Sequence, residues 1–321
     1  MDVKAALVSG LTSDPRRLPV WFRYDKQGSI YNDRFLTDNT HYYFYRSEVE
    51  VLTANVQAIV SEVAPPCVLV EMGSGNSEKS RMIIDVILRQ QTTLNYIPVD
   101  ISAEFLKETA DSLSHDYGEK LRVTPVPGDY TVGIEHFRKV EGRKLIVWLG
   151  GGFQNQPYTV QVARLHNMAQ SMTGADRLLV ALDVTQEAEA VEKAYLDPAG
   201  VGENLYLNAL WRLNREYGSD IITDNFRLEA NFDHSTEDDT LSGVKLRAVS
   251  CNDQEIHIPD LNLTFDLPEG ECIYLHEGEY LSCKYTDAQV GSLAEKAGLT
   301  LNRIWTDPGL HVGLFCFAKD V

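Results

Sequence analysis

Three short stretches carry residues whose types and spacing could do chemistry. Glu71-Met72-Gly73-Ser74-Gly75 ends one apolar run and leads into an amphipathic one; glycines there permit a tight turn and let backbone approach a ligand closely. Asp100 closes a second apolar run, where a carboxylate can accept hydrogen bonds from both hydroxyls of a ribose. Asp129, in Gly128-Asp129-Tyr130 after a third run, is placed to accept from an adenine amino group. Glu78 occupies the third glycine position of G-x-G-x-x-G, so this is not the dinucleotide fingerprint. Either aspartate alone could be a solvated strand-end carboxylate. Together with the glycine turn they point to a nucleoside, and the missing phosphate-binding glycine fits S-adenosylmethionine, which carries no phosphate.

These residues must be held by regular elements. Residues 68–72 (VLVEM), 96–99 (YIPV), 121–125, 144–149 (KLIVWL) and 177–182 (RLLVAL) read as strands, the last ended by Asp183. Amphipathic runs lie between them, including RMIIDVILRQ and a helix from 103 that Ser102 could cap. This alternation predicts an α/β fold with a doubly wound parallel sheet, the candidate residues lying at one edge of it. Residues 1–45 read as short helices and loops, and 46–63 as a helix. Beyond about 196 the alternation stops: 205–216 reads as helix, 226–283 as short strand-like runs, and the chain returns to helix (DAQVGSLAEKAGL) and strand (HVGLFCFAK). The expected arrangement is a core of 60–195 and 287–321, closed by a C-terminal hairpin. Residues 1–59 and 196–286 would form a second, substrate-binding part.

Bulk properties narrow the partners. With 29 basic and 47 acidic side chains the net charge is −18, which repels phosphate backbones and anionic lipid surfaces and attracts a cationic cosubstrate. No nucleic-acid or membrane partner is expected. No apolar stretch reaches the roughly 18 residues of a membrane span, and the N-terminus lacks the apolar core of a signal peptide. The five cysteines (Cys67, Cys251, Cys272, Cys283, Cys316) show no C-x-x-C spacing, and the histidines no H-x-x-x-H; neither a disulfide framework nor a metal site is suggested. Reduced thiols in a cytoplasmic protein, monomer or homodimer, are expected.

The assembled motifs VEMGSGNSEKSRMIID, YIPVDIS, GDY, HYYFYRSE, KAYLDPAG and SCKY resemble the amino-acid α-N-methyltransferases, a family that includes the ergothioneine-pathway histidine methyltransferases and the dimethylallyltryptophan N-methyltransferases. The resemblance runs from about residue 21 to the last strand. It implies a class I, Rossmann-like methyltransferase core with an inserted substrate-binding domain. It also implies cofactor contacts at Gly73, Gly75, Lys79, Asp100 and Asp129. Tyr24 and Tyr42 match tyrosines near the amine and methyl group, Asn155 and Tyr195 the pair that holds the substrate carboxylate, and Ser282 a serine facing the side chain. Before Asn155, GGGFQN replaces the family's usual loop.

Two departures bear on the substrate. The histidine enzymes place a glutamate two residues before the SCK serine; here that position is Tyr280, and Glu279 beside it would point to the opposite face of a strand. A methionine of the histidine enzymes aligns with Val244. Both changes lead to the expectation of an aromatic, tryptophan-like amino acid rather than histidine, with histidine as the alternative. Transfer to an α-amine needs a neutral nucleophile held in line, and an anchored carboxylate fixes the amine's position. Phenols can accept a hydrogen bond from the amine, and their rings attract methylated ammonium groups. The rival readings are an NAD-dependent oxidoreductase on the same core and a non-catalytic binder that keeps the fold.

Overall fold

The computed structural model describes residues 2–235, 240–276, 278 and 280–320. The chain opens with α1 (Val3–Leu11), α2 (Lys26–Asp38) and α3 (Tyr43–Val60). The alternating region follows: β1 (Cys67–Met72), α4 (Glu78–Ile87), β2 (Leu94–Asp100), α5 (Ala103–Tyr117), β3 (Leu121–Val123), β4 (Val126–Pro127), α6 (Tyr130–Phe137), β5 (Arg143–Trp148), α7 (Tyr158–Ser171), β6 (Arg177–Asp183) and α8 (Ala188–Tyr195). After α9 (Glu203–Tyr217) come β7 (Phe226–Asp233), β8 (Ser242–Ser250), β9 (Gln254–Ile258), β10 (Leu263–Leu267), β11 (Cys272–Tyr274) and β12 (Cys283–Lys284). The chain closes with α10 (Asp287–Ala297), β13 (Leu299–Thr306) and β14 (Val312–Lys319).

The large sheet runs β13-β14-β6-β5-β1-β2-β3, with β4 also paired to β2. Strands β1 to β6 are parallel; β14 joins β6 antiparallel and forms a hairpin with β13. This is the α/β class expected, and the C-terminal hairpin of β13 and β14 closes one edge of the sheet. The apolar character of β1 follows from burial on both faces: Leu69, Val70 and Met72 are all inaccessible to solvent. Of the run at 121–125 only Leu121–Val123 forms a strand, β3; Pro125 has no N–H for the ladder, and pairing with β2 resumes beyond it as β4. Since β1 lies between β2 and β5, the strand order reverses there, and the C-terminal ends of these strands open a crevice.

A second sheet is centred on β8, antiparallel to β7, β11 and β12, and β9 and β10 form a separate hairpin. Helix α3, within 1–59, buries Val51, Leu52, Ile59 and Val60 and packs against α4 and β14. That stretch therefore covers the large sheet as well as the site. Ser102 precedes α5, but its hydroxyl makes no cap bond; its amide instead donates to Asp100 at 2.9 Å. Among the described residues, no helix is long and apolar enough to cross a membrane.

Candidate active site

A cavity of about 210 Å³ occupies the crevice at the ends of β1, β2 and β5. Its floor is the turn after β1. Gly73 (φ 77°) and Gly75 (φ 52°) both lie in the left-handed region, which suits glycine, and a Cβ on Gly73 would sit 3.3 Å from the Tyr130 hydroxyl. The turn is fastened to β2: Gly75 donates its amide to Asp100 Oδ2 at 2.9 Å, while Asp100 Oδ1 takes the Ser102 amide. Burial pushes the Asp100 carboxyl up, against the opposing pull of these amides. Each carboxylate oxygen keeps a second acceptor site, which matches two vicinal hydroxyls.

Asp129 caps α6, with Oδ1 accepting from Thr131 at 2.9 Å and Val132 at 3.1 Å. Its other oxygen has no partner among the described residues, and the residue lines the cavity. Lys79 lines it too, but its ammonium is engaged by the buried carboxylate of Glu48, whose other oxygen accepts the Gly150 amide at 2.7 Å. Lys79 thus fastens α4 to α3 and to the loop after β5. Lys79 is therefore not a free cation at the turn, and the donor and acceptor set there suits a nucleoside with vicinal hydroxyls.

Tyr24 and Asn155 face the same cavity. Asn155 arrives on the loop that departs from the family pattern. Gly150 and Gly151 adopt φ of 77° and 75°, turning the chain so that Phe153 packs on Trp148 and Asn155 faces inward. No side-chain hydrogen bond is made by Asn155 or by the Tyr24 hydroxyl among the described residues. Burial raises the Tyr24 phenol, so at neutral pH it is a hydroxyl and not a phenolate.

The remaining candidates lie elsewhere. Tyr42 is buried, its ring 4.5 Å from Phe35 and perpendicular to Tyr195 at 6.0 Å, and burial holds its phenol well above the ordinary value. Tyr195, at the end of α8, and Ser282 accept hydrogen bonds from Lys284 at 3.1 and 3.0 Å. These residues form a second, buried layer behind Tyr24, whose phenol is within electrostatic range of Tyr195. Val244 is fully buried on one face of β8. Tyr280 lies over Gly243, on the other face, because alternate strand residues point to opposite sides. Tyr280 and Val244 thus lie on opposite faces of β8, and neither lines the cavity that holds Tyr24 and Asn155; Glu279 lies outside the described residues.

Several residues escaped the sequence reading. Asp33, from α2, lines the cavity, and burial pushes its carboxyl up to about 6. Arg164 of α7 also lines the cavity, its guanidinium 5.1 Å from the Tyr130 ring centre. Neither carries a motif signal, each sitting mid-helix. Glu48 and Lys284 did carry one, at the end of HYYFYRSE and within SCKY.

A family model for histidine-specific, S-adenosylmethionine-dependent methyltransferases matches residues 3–319. The chain belongs to this family. Histidine N-alpha-methyltransferase of Mycobacterium tuberculosis is 32% identical, over 99% of this chain and 95% of that protein. Its counterpart from Mycolicibacterium smegmatis is 31% identical over 98% and 92%. The 4-dimethylallyltryptophan N-methyltransferase of Claviceps purpurea is 27% identical, over 59% of this chain and 57% of that one. The protein is thus an S-adenosylmethionine-dependent methyltransferase with a class I α/β core. The match to this fungal relative covers a shorter stretch than the matches to the two histidine enzymes.

Proposed function

We propose that the protein transfers methyl groups to the α-amine of a free amino acid, with histidine its substrate. The observation that carries this reading is that the unpartnered carboxamide of Asn155 shares one cavity with the Asp100-fastened glycine turn. A donor on the turn and an acid group on Asn155 would then be neighbours. In this reading Asp100 holds the ribose hydroxyls, Gly73 and Gly75 admit the cofactor to the backbone, Asp129 takes the adenine amine, and Lys79 holds the turn's shape through Glu48. S-adenosylmethionine, when bound, supplies a sulfonium methyl as electrophile.

The chain's own residues do the positioning. Asn155 and Tyr195 anchor the carboxylate, which fixes the amine nitrogen relative to the turn. Tyr24, kept neutral by burial, accepts an N–H of the amine and leaves its lone pair directed at the donor. Tyr42 backs Tyr195 edge-on and sets its orientation. Residues 60–195 and 287–321 act as the cofactor-binding core, and 1–59 with 196–286 supply the substrate side, including Ser282.

Histidine is favoured over a tryptophan-like substrate on two grounds. Relatives 31–32% identical over nearly the whole chain are named for histidine. A larger aromatic side chain would need Tyr280 and Val244 to face one pocket, whereas their side chains lie on opposite faces of β8. Mass spectrometry of an amino-acid panel incubated with enzyme and cofactor tests the assignment. Histidine should gain about 14, 28 or 42 Da, multiples of one added CH₂ on the α-amine. Mass gain on tryptophan with none on histidine would restore the aromatic reading, and no gain on any amino acid would favour a non-catalytic binder.

A further inference from the structure

Behind Tyr24 lies a cation to which no role has been given. Lys284 is fully buried on β12, and its ammonium donates to Asp183 Oδ2 at 2.7 Å, Ser282 Oγ at 3.0 Å and the Tyr195 hydroxyl at 3.1 Å. All three donors are used. Burial alone would lower this amine, but Asp183 and Tyr195 outweigh it and hold it above its ordinary value. An ammonium has no acceptor site, so the oxygens of Tyr195 and Ser282 must accept from it. Their own hydrogens are thereby turned away from Lys284, and neither hydroxyl has another partner among the described residues. Asp183 also takes the Tyr43 hydroxyl at 2.9 Å and the Thr185 amide at 3.0 Å, so its charge is absorbed within the cluster.

We propose that Lys284 is a positioning residue for the amino-acid substrate, fixing the Tyr195 hydroxyl as a hydrogen-bond donor aimed at the substrate carboxylate. This rests on the reading of Asn155 and Tyr195 as the carboxylate's holders. With its lone pair engaged by Lys284, the phenol presents only its hydrogen; a freely rotating phenol would also present a lone pair, which repels a carboxylate. The cluster is joined to the loop that carries Asn155. The Gln154 side chain accepts the Asp183 amide at 2.9 Å, and the Cys283 thiol donates to the Gln156 carbonyl at 3.7 Å. One frame therefore sets both halves of the anchor. The same ion pair also joins β12 to β6, and a purely architectural role would be blind to whether the substrate carries a carboxylate.

That difference is the test. Calorimetry compares wild type, Lys284→Met, Lys284→Met/Asp183→Asn and Tyr195→Phe, each titrated with S-adenosylhomocysteine and then with histidine or its decarboxylated analogue, histamine. The double variant leaves no unpaired buried charge. Both Lys284 variants should bind S-adenosylhomocysteine and histamine within about two-fold of wild type but histidine about 10- to 100-fold more weakly, the range for losing one hydrogen bond to a charged group. Adding Lys284→Met to Tyr195→Phe should weaken histidine no further. Equal loss for histidine and histamine, unchanged histidine binding, or loss of S-adenosylhomocysteine in both Lys284 variants would overturn the role of Lys284 alone. A wild type indifferent to the carboxylate would instead sink the reading of Asn155 and Tyr195, and this inference with it.

Discussion

Asp100 accepts the amide hydrogen of Gly75 at 2.9 Å, so the end of β2 and the turn after β1 form one unit. The carboxylate shapes the turn and retains the acceptor capacity to meet a ribose. Asp100→Ala should weaken S-adenosylhomocysteine by about two orders of magnitude, since two hydrogen bonds to an ionised group are lost with the turn's anchor. Calorimetry reads this directly, and an affinity within a few-fold of wild type would remove Asp100 from the cofactor site.

Gly73→Ala addresses the same turn from the other strand. At φ 77° a Cβ is strained, and here it would also approach the Tyr130 hydroxyl at 3.3 Å. The expected cost is about 1–2 kcal/mol of stability, the usual penalty of the left-handed conformation, together with weaker cofactor binding. Denaturant unfolding with and without S-adenosylhomocysteine measures both.

Much of this was legible in the sequence, for a physical reason. The strands β1, β2, β5 and β6 are buried on both faces and so stand out as continuous apolar runs, and the residues at their ends, Gly73, Asp100 and Asp183, announce themselves by position. The substrate side was less legible. Tyr280 and Val244 were assigned to one pocket by alignment, whereas their side chains are separated by the pleat of β8. Asp33 and Arg164 reach the cavity from helices whose placement depends on tertiary packing, which spacing along the chain does not encode.

Glu71 supplies a pH prediction. It is buried beneath the turn, accepting from Ser80 and Tyr96, and burial pushes its carboxyl up to about 7. Its folded pKa lies above the ordinary carboxylate value, so the folded state holds this proton more tightly than the unfolded one. Its contribution to stability therefore falls as pH rises from the ordinary carboxylate range through about 7 and stays lost above. Glu71→Gln should raise the melting temperature at pH 8 relative to wild type, with the difference shrinking toward pH 5. A constant offset between the two pH values would contradict this.

Lys79 and Glu48 test the loop's fastening. Lys79→Met leaves the fully buried Glu48 carboxylate without its ammonium, at an expected cost of about 3–5 kcal/mol in chemical denaturation. Lys79→Met/Glu48→Gln should recover most of that loss. Equal destabilisation in both variants would mean that packing of the lysine stem, and not the charge pair, holds the loop.

The most direct test of a shared cavity with separate duties is calorimetry on Asn155→Ala. The account predicts S-adenosylhomocysteine affinity within about two-fold of wild type and histidine at least about ten-fold weaker, the scale of one hydrogen bond to a carboxylate. Loss of S-adenosylhomocysteine as severe as in Asp100→Ala, or histidine binding left intact, would contradict it.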